Sequence, residues 1–301
     1  MKYLEEISKE LKEETYQPEP NRRVEISKEN GKKRQLGIPN IKDRIVQGAV
    51  KQILEPIFEA DFCGCSYGYR PNKEAQEAVS NLGREISWGK HLVLEVDLAG
   101  YFDNIRHHIL FERIAKRVND DEVMHLIKLI CRANGKKGVP QGGVISPLFS
   151  NLYLQEVDEM FTKAKSVVRS CYGTELGFYR FADDMVCLVK KQGQYIRLMR
   201  DIRRRLKQEL DKLQVVMNEE KTREVDLAKG ETFSFLGFEF SWRKSSFSGR
   251  MMAYYEPREK KVQAIANDLS QLLRKLWMVP VSGSHRSTQS EIKGLGELLP
   301  N

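Results

Sequence analysis

The chain has 301 residues, 41% of them hydrophobic and 31% charged, with a net charge of +8. That balance belongs to a globular protein with room for two subdomains and excludes a disordered chain; no apolar stretch reaches the length of a membrane span, and residues 1–17 are too polar for a secretory signal. The basic excess is compatible with a polyanionic partner, and the five cysteines, with Cys63-Gly64-Cys65 at the wrong spacing for a zinc knuckle, are read as those of a reduced, cytoplasmic protein without structural zinc.

A short charged helix within residues 1–20 runs into the extended Pro18-Glu19-Pro20. Arg22-Arg23-Val24-Glu25-Ile26 alternates as a strand does, Asn30-Gly31 supplies a hairpin turn and residues 32–39 the return strand, so a basic hairpin opens the fold. Ile45, Ala49, Ile53 and Ile57 recur every four residues and predict a helix over 41–58, with Pro56 bending or ending it. A Gly- and Tyr-rich loop at 66–70 precedes a helix over 73–88. The apolar run Leu92-Val93-Leu94-Glu95-Val96 predicts a strand that ends on Asp97. Leu110, Ile114 and Val118, then Val123, Leu126, Ile127 and Ile130, predict two helices divided at Asn119-Asp120-Asp121. A glycine loop over 138–143 leads into a helix opened by Ser146-Pro147, with Phe149, Tyr153, Val157 and Met160 on one face.

A hairpin over 178–189 follows, capped by Asp183-Asp184. Met199, Ile202, Leu206, Leu210 and Leu213 mark a long amphipathic helix whose Arg197, Arg200, Arg203, Arg204 and Arg205 read as a solvated face in preference to a phosphate track. Phe233, Phe235, Phe238 and Phe240 alternate about Leu236-Gly237, a bulge or tight turn. One more amphipathic helix covers 258–277, and 279–301 is a Gly/Ser-rich tail. This order predicts an α+β fold whose sheet has helices packed on one face and the carboxylates on the other, open face.

Asp97 and Asp183-Asp184 end or cap strands. Carboxylates gathered there repel one another unless a cation sits among them, and hard oxygen ligands suit Mg²⁺, which polymerases use in pairs. An Asp-Asp pair alone is usually a solvated turn; its surroundings give it meaning. Val96-Asp97-Leu98-Ala99-Gly100-Tyr101-Phe102-Asp103 comes first, then Gly138-Val139-Pro140-Gln141-Gly142-Gly143-Val144-Ile145-Ser146-Pro147-Leu148, then Tyr179-Arg180-Phe181-Ala182-Asp183-Asp184, then Phe235-Leu236-Gly237-Phe238. In this order they resemble reverse transcriptases, most closely the bacterial group II intron-encoded lineage. Arg34-Gln35-Leu36-Gly37-Ile38-Pro39, Asp43-Arg44-Ile45-Val46-Gln47 and Ser66-Tyr67-Gly68-Tyr69-Arg70-Pro71 carry the same likeness, which spans about residues 15–245.

The resemblance implies a right-hand polymerase with fingers and palm, an antiparallel palm sheet backed by helices, and a thumb that is partial or missing. Fingers would occupy 1–90, palm 91–105, fingers and palm helices 106–140, palm with catalytic hairpin and primer grip 141–245, and the start of a thumb or a tail 246–301. Asp97, Asp183 and Asp184, with Leu98 beside them, would hold two Mg²⁺ ions, Mn²⁺ being a substitute. Lys28 and Arg34 would reach the triphosphate, a solvated hairpin being the rival for Lys28. Phe102 would stack under the sugar and exclude a 2′-hydroxyl, its rival being plain core. Gln141 would face the incoming nucleotide. Lys221 would stand near the pyrophosphate as a general acid, or be a surface lysine. Leu236 and Gly237 would form the primer grip. Most relatives have Tyr where Phe181 stands. The implied activity is RNA-directed DNA polymerisation from dNTPs on an RNA template and primer strand, with intron RNA as a further partner and no membrane. A maturase-like RNA-binding protein, or a retron or defence enzyme of the same chemistry, is the alternative.

Overall fold

The structure, a computed structural model, describes residues 2–27, 33–133 and 135–276. Helix α1 (Lys2–Lys12) precedes the antiparallel hairpin of β1 (Arg22–Ser27) and β2 (Lys33–Ile38), with Arg22 opposite Ile38. The expected Asn30-Gly31 turn, and Lys28 with it, lie outside the described residues. Helix α2 (Ile41–Glu59) starts at Asn40, whose side-chain oxygen accepts the Asp43 N–H at 2.7 Å. It buries Val46, Val50, Leu54 and Phe58, while Ile53 is 65% exposed. The four-residue period was right and the stripe was one position off, because two apolar stripes share that period and packing on the later helix core selects one. The helix also runs through Pro56 to Glu59. A proline so near the end removes one backbone donor, and buried Phe58 beyond it anchors the last turn.

Helix α3 (Ala75–Ser87), strand β3 (Leu92–Val96), the one-turn α4 (Tyr101–Asn104), and helices α5 (His107–Ala115), α6 (Asp121–Arg132) and α7 (Ser146–Tyr172) follow. Strands β4 (Leu176–Phe181) and β5 (Asp184–Val189), helix α8 (Tyr195–Lys212), and strands β6 (Arg223–Asp226), β7 (Phe233–Phe235), β8 (Phe238–Lys244) and β9 (Met251–Pro257) lead to α9 (Glu259–Leu276). The central sheet has the order β4-β5-β3-β6 and is antiparallel throughout; β7, β8 and β9 form a second sheet. The expected boundary at 245 falls inside the β8–β9 hairpin, whose strand β9 was not foreseen.

Both faces of the central sheet are covered, contrary to the expected open face. Leu92, Leu94 and Val96 of β3 point into a core shared with α2, α5, α7 and α8, while Val93 packs with Val186, Leu188 and Val225 against α3 and the Phe233, Phe235 and Phe240 rings of the second sheet. Strands apolar on both faces demand cover on both. The carboxylates therefore sit at the ends of strands. Val96 lies opposite Met185, so one step further along each strand Asp97 and Asp184 emerge at the same end.

Candidate active site

The chain turns back on Asp97 through residues 216–222. Ala99 N–H donates to the Val216 carbonyl (2.9 Å) and Asn218 N–H to the Asp97 carbonyl (2.8 Å), which sets Leu98 opposite Met217 with its side chain in the core. Asn218 Nδ2 donates to one Asp97 carboxylate oxygen at 3.0 Å, and the Lys221 ammonium stands 3.3 and 3.4 Å from the two oxygens. The Asp97 N–H in turn reaches Thr222 Oγ1 at 3.3 Å.

Phe181 pairs with Asp184, leaving Ala182-Asp183 as a two-residue turn with Ala182 at φ +56°. Such a turn aims neighbouring side chains apart. Asp184 shares a cavity of about 180 Å³ with Asp97, Lys221, Leu236, Gly237 and Arg258. Asp183 lines a second cavity of about 320 Å³ with Leu36, Tyr69, Phe102, Gln141 and Ser146. Among the described residues no three Asp, Glu, His or Cys side chains converge tightly enough to enclose an ion unaided. The charges nevertheless feel one another. Asp184 stays open to solvent on one side but is crowded by protein on the other; that crowding, then the negative charges of Asp183, Asp97 and Glu95, push its carboxyl up to about 6, with Lys221 opposing. A site with hard oxygen donors and an excess of like charge fits a divalent cation, which would relieve that repulsion.

The glycine loop is stitched between fingers and palm. Gly138 N–H donates to the Ile105 carbonyl (2.8 Å), Val139 N–H to that of Phe102 (2.9 Å), and Gly37 N–H of β2 to that of Gln141 (2.9 Å). Gly142 has φ +114°, and a Cβ there would approach the Gly37 oxygen to 3.2 Å. Gln47, buried in α2, accepts the Val144 N–H on its side-chain oxygen at 3.0 Å. Half-buried Phe102 sits on α4, which springs from Gly100 at φ +55° and puts the ring beside Gln141. The backbone register places Arg34 opposite Ile26 in the first hairpin. Leu236 and Gly237 have φ +52° and +87°, the positive pair of a type I′ hairpin turn.

Sequence reading missed Gln47, Tyr69 and Asn218 as parts of this site. A glutamine on the buried stripe of α2 was the available signal for the first, and the turn-forming Asn three residues before Lys221 for the third. Tyr69, 51% exposed with φ +58°, carries no local signature of its backbone state. On α8, Arg203 pairs with Glu219, Arg197 and Arg204 with Asp201, and Arg205 with Glu209, as on a solvated face. All five cysteines are free thiols.

The sequence profile of the reverse transcriptase (RNA-dependent DNA polymerase) family matches residues 26–240, and the chain belongs to that family. Its affinity within the family is to proteins of the group II intron lineage, as the motifs implied. It is similar to the group II intron-encoded protein LtrA of Lactococcus lactis subsp. cremoris, 38% identical over 172 residues that cover 54% of this chain and 28% of LtrA. It is also similar to Protein YkfC of Escherichia coli (strain K12), 32% identical over an alignment of 320 positions covering 93% of this chain and 81% of YkfC. Among solved structures, apo telomerase from Candida tropicalis shares the fold, with a TM-score of 0.54 at 16% identity over 75% of this chain and 47% of that one. Among the described residues no helix is long and apolar enough to cross a membrane.

Proposed function

We propose that the chain extends a primer 3′-hydroxyl with dNTPs on an RNA template and releases pyrophosphate. The observation that carries this reading is the shared strand-end cavity of Asp97 and Asp184, flanked by Lys221 and the Leu236-Gly237 turn, with Asp183 opening to the pocket of Phe102 and Gln141. Asp97, Asp183 and Asp184 would hold two divalent ions, Mg²⁺ or Mn²⁺, which when bound acidify the primer hydroxyl and offset charge on the triphosphate. Everything else is positioning by this chain. Gln141 and the glycine loop seat the incoming nucleotide, and Phe102 lies under its sugar. Lys28 and Arg34 would bind the triphosphate, a role that rests on the resemblance alone. Lys221 hands a proton to the departing pyrophosphate. Leu236 and Gly237 seat the primer end. RNA is held through phosphates and 2′-hydroxyls, so binding weakens with salt. The likeness to LtrA makes a group II intron RNA the favoured partner, and the cytoplasm is where the protein would meet it.

The test is primer extension on an RNA template with added Mg²⁺. Asp183→Ala should abolish dNTP incorporation and leave RNA affinity unchanged. A wild-type chain that binds RNA and incorporates nothing would overturn the polymerase reading in favour of an RNA-folding role.

A further inference from the structure

Arg180 is among the large side chains buried completely in the described residues, and it interrupts an otherwise apolar strand two residues before the turn that carries the aspartates. A guanidinium taken out of water must be fully paired. Here Nε donates to Asp158 Oδ1 at 2.7 Å and one terminal nitrogen to Oδ2 at 2.5 Å. The other terminal nitrogen donates to Asn151 Oδ1 at 2.9 Å and to the Ala182 carbonyl at 3.0 Å. Asn151 and Asp158 stand two turns apart on α7, hence on one face of it. The longest helix of the described fold thus fixes the guanidinium, and the guanidinium holds the middle of the aspartate turn.

The other side of that turn is walled by the loop that precedes α3. Ser66 bridges Arg180 in parallel, with Tyr67 N–H donating to the Arg180 carbonyl (2.8 Å) and Arg180 N–H to the Cys65 carbonyl (2.9 Å). Asn151 Nδ2 donates to the Gly68 carbonyl at 2.6 Å, so the same asparagine ties loop and guanidinium together. A Cβ on Gly68 would run into the Ala182 nitrogen and lie 3.0 Å from the Phe181 carbonyl carbon. The loop is itself rigid. The Arg70 guanidinium binds Glu59 and donates to the Cys63 and Ser66 carbonyls at 2.6 and 2.8 Å.

A two-residue turn with an alanine in the left-handed region does not set its own direction. We propose that Arg180 and Gly68 are positioning residues, acting from opposite sides of Ala182 to aim Asp183 and Asp184 into their separate cavities. The inference rests on the polymerase reading only for its kinetic readout.

The experiment compares wild type with Gly68→Ala, Asn151→Ala and Arg180→Lys in the full chain. Single-nucleotide incorporation is measured against Mg²⁺ concentration, with Mn²⁺ binding followed separately by electron paramagnetic resonance in the presence of a chain-terminated RNA–DNA duplex and dNTP, where no turnover occurs. Melting temperature and affinity for an RNA–DNA duplex are measured alongside. Misplacing the carboxylates by about 1 Å lowers the maximal rate by about 10²-fold, raises the Mg²⁺ needed for half-maximal rate and weakens Mn²⁺ binding, with duplex affinity unchanged. A purely structural role lowers the melting temperature and leaves the metal dependence alone. The proposal is overturned if Gly68→Ala and Asn151→Ala fold and keep the wild-type Mg²⁺ requirement and Mn²⁺ affinity. Should Arg180→Lys fail to fold, Gly68→Ala, which changes no charge, decides. A wild type without incorporation sinks the polymerase reading, and the Mn²⁺ comparison still decides the positioning.

Discussion

Gln47→Leu is the perturbation that most directly tests how helix α2 and strand β2 hold the glycine loop of the proposed nucleotide pocket. Gln47 is buried, and its side-chain oxygen takes the Val144 N–H at 3.0 Å, three residues beyond Gln141. Leucine has similar volume and no acceptor, so the change leaves that donor unsatisfied with little disturbance of packing. An unmade bond at such a site costs about 1–3 kcal/mol. In a chain of this size about 1 kcal/mol moves Tm by about 2–4 °C, so a middle value of about 2 kcal/mol lowers it by about 4–8 °C. If the loop shifts to find a new partner, Gln141, three residues away on the same loop, moves with it against the one Gly37 N–H that holds its carbonyl from β2 at 2.9 Å. The KM for dNTP then rises by about tenfold for each 1.4 kcal/mol of lost nucleotide binding, with kcat less affected. Thermal melting and steady-state single-nucleotide incorporation read both numbers. A lowered Tm with an unchanged KM would detach Gln141 from Gln47, and no change in either would mean that Val144 is served by water.

Phe102→Val should raise ribonucleotide use relative to deoxyribonucleotide in competition assays, since the ring stands beside Gln141 and Asp183 in the second cavity; unchanged discrimination would return Phe102 to the core. Lys221→Met should leave Tm nearly unchanged, because the lysine side of its ion pair with Asp97 is 59% exposed and solvent-facing pairs are worth about 0–1 kcal/mol. The same variant should slow single-turnover incorporation by about 10²-fold if the ammonium is the proton donor, and an undiminished rate would refute that role. Leu236→Asn removes about 1 kcal/mol of left-handed strain at φ +52°, offsetting the lost leucine packing, so the variant should melt no lower than wild type while extending primers more slowly. A lower Tm with full activity would reverse both assignments.

Much of the chemistry was legible because it lies in local pattern. The apolar run before Asp97, broken by Glu95, and the apolar stretches on either side of Asp183-Asp184 marked three strands near their ends, and the Leu236-Gly237 pair marked its turn. What sequence hid was set by packing. Helix α2 offers two stripes of equal period, and only the tertiary core chooses Val46 over Ile45. Strand β6 spans just Arg223–Asp226, too short to alternate visibly, and exists because β3 offers it an edge. The adjacent aspartates sit on one two-residue turn, and that Asp184 lines one cavity and Asp183 the next is set by how the turn is held, which no local pattern shows. Arg180 as a charge in an apolar strand was an available signal that the sequence reading did not use, and its partners Asn151 and Asp158 lie a helix away, beyond any local pattern.

Strand β9 and helix α9 give the Leu236-Gly237 turn an unexpected neighbour. Pro257 ends β9 directly opposite Phe238, Arg258 N–H donates to the Gly237 carbonyl at 3.0 Å, and α9 departs one residue later. With no slack chain between them, helix and turn form a single lever. Any swing of α9 tilts the Leu236-Gly237 turn, and a primer end seated there, as proposed, would lean on the helix in return.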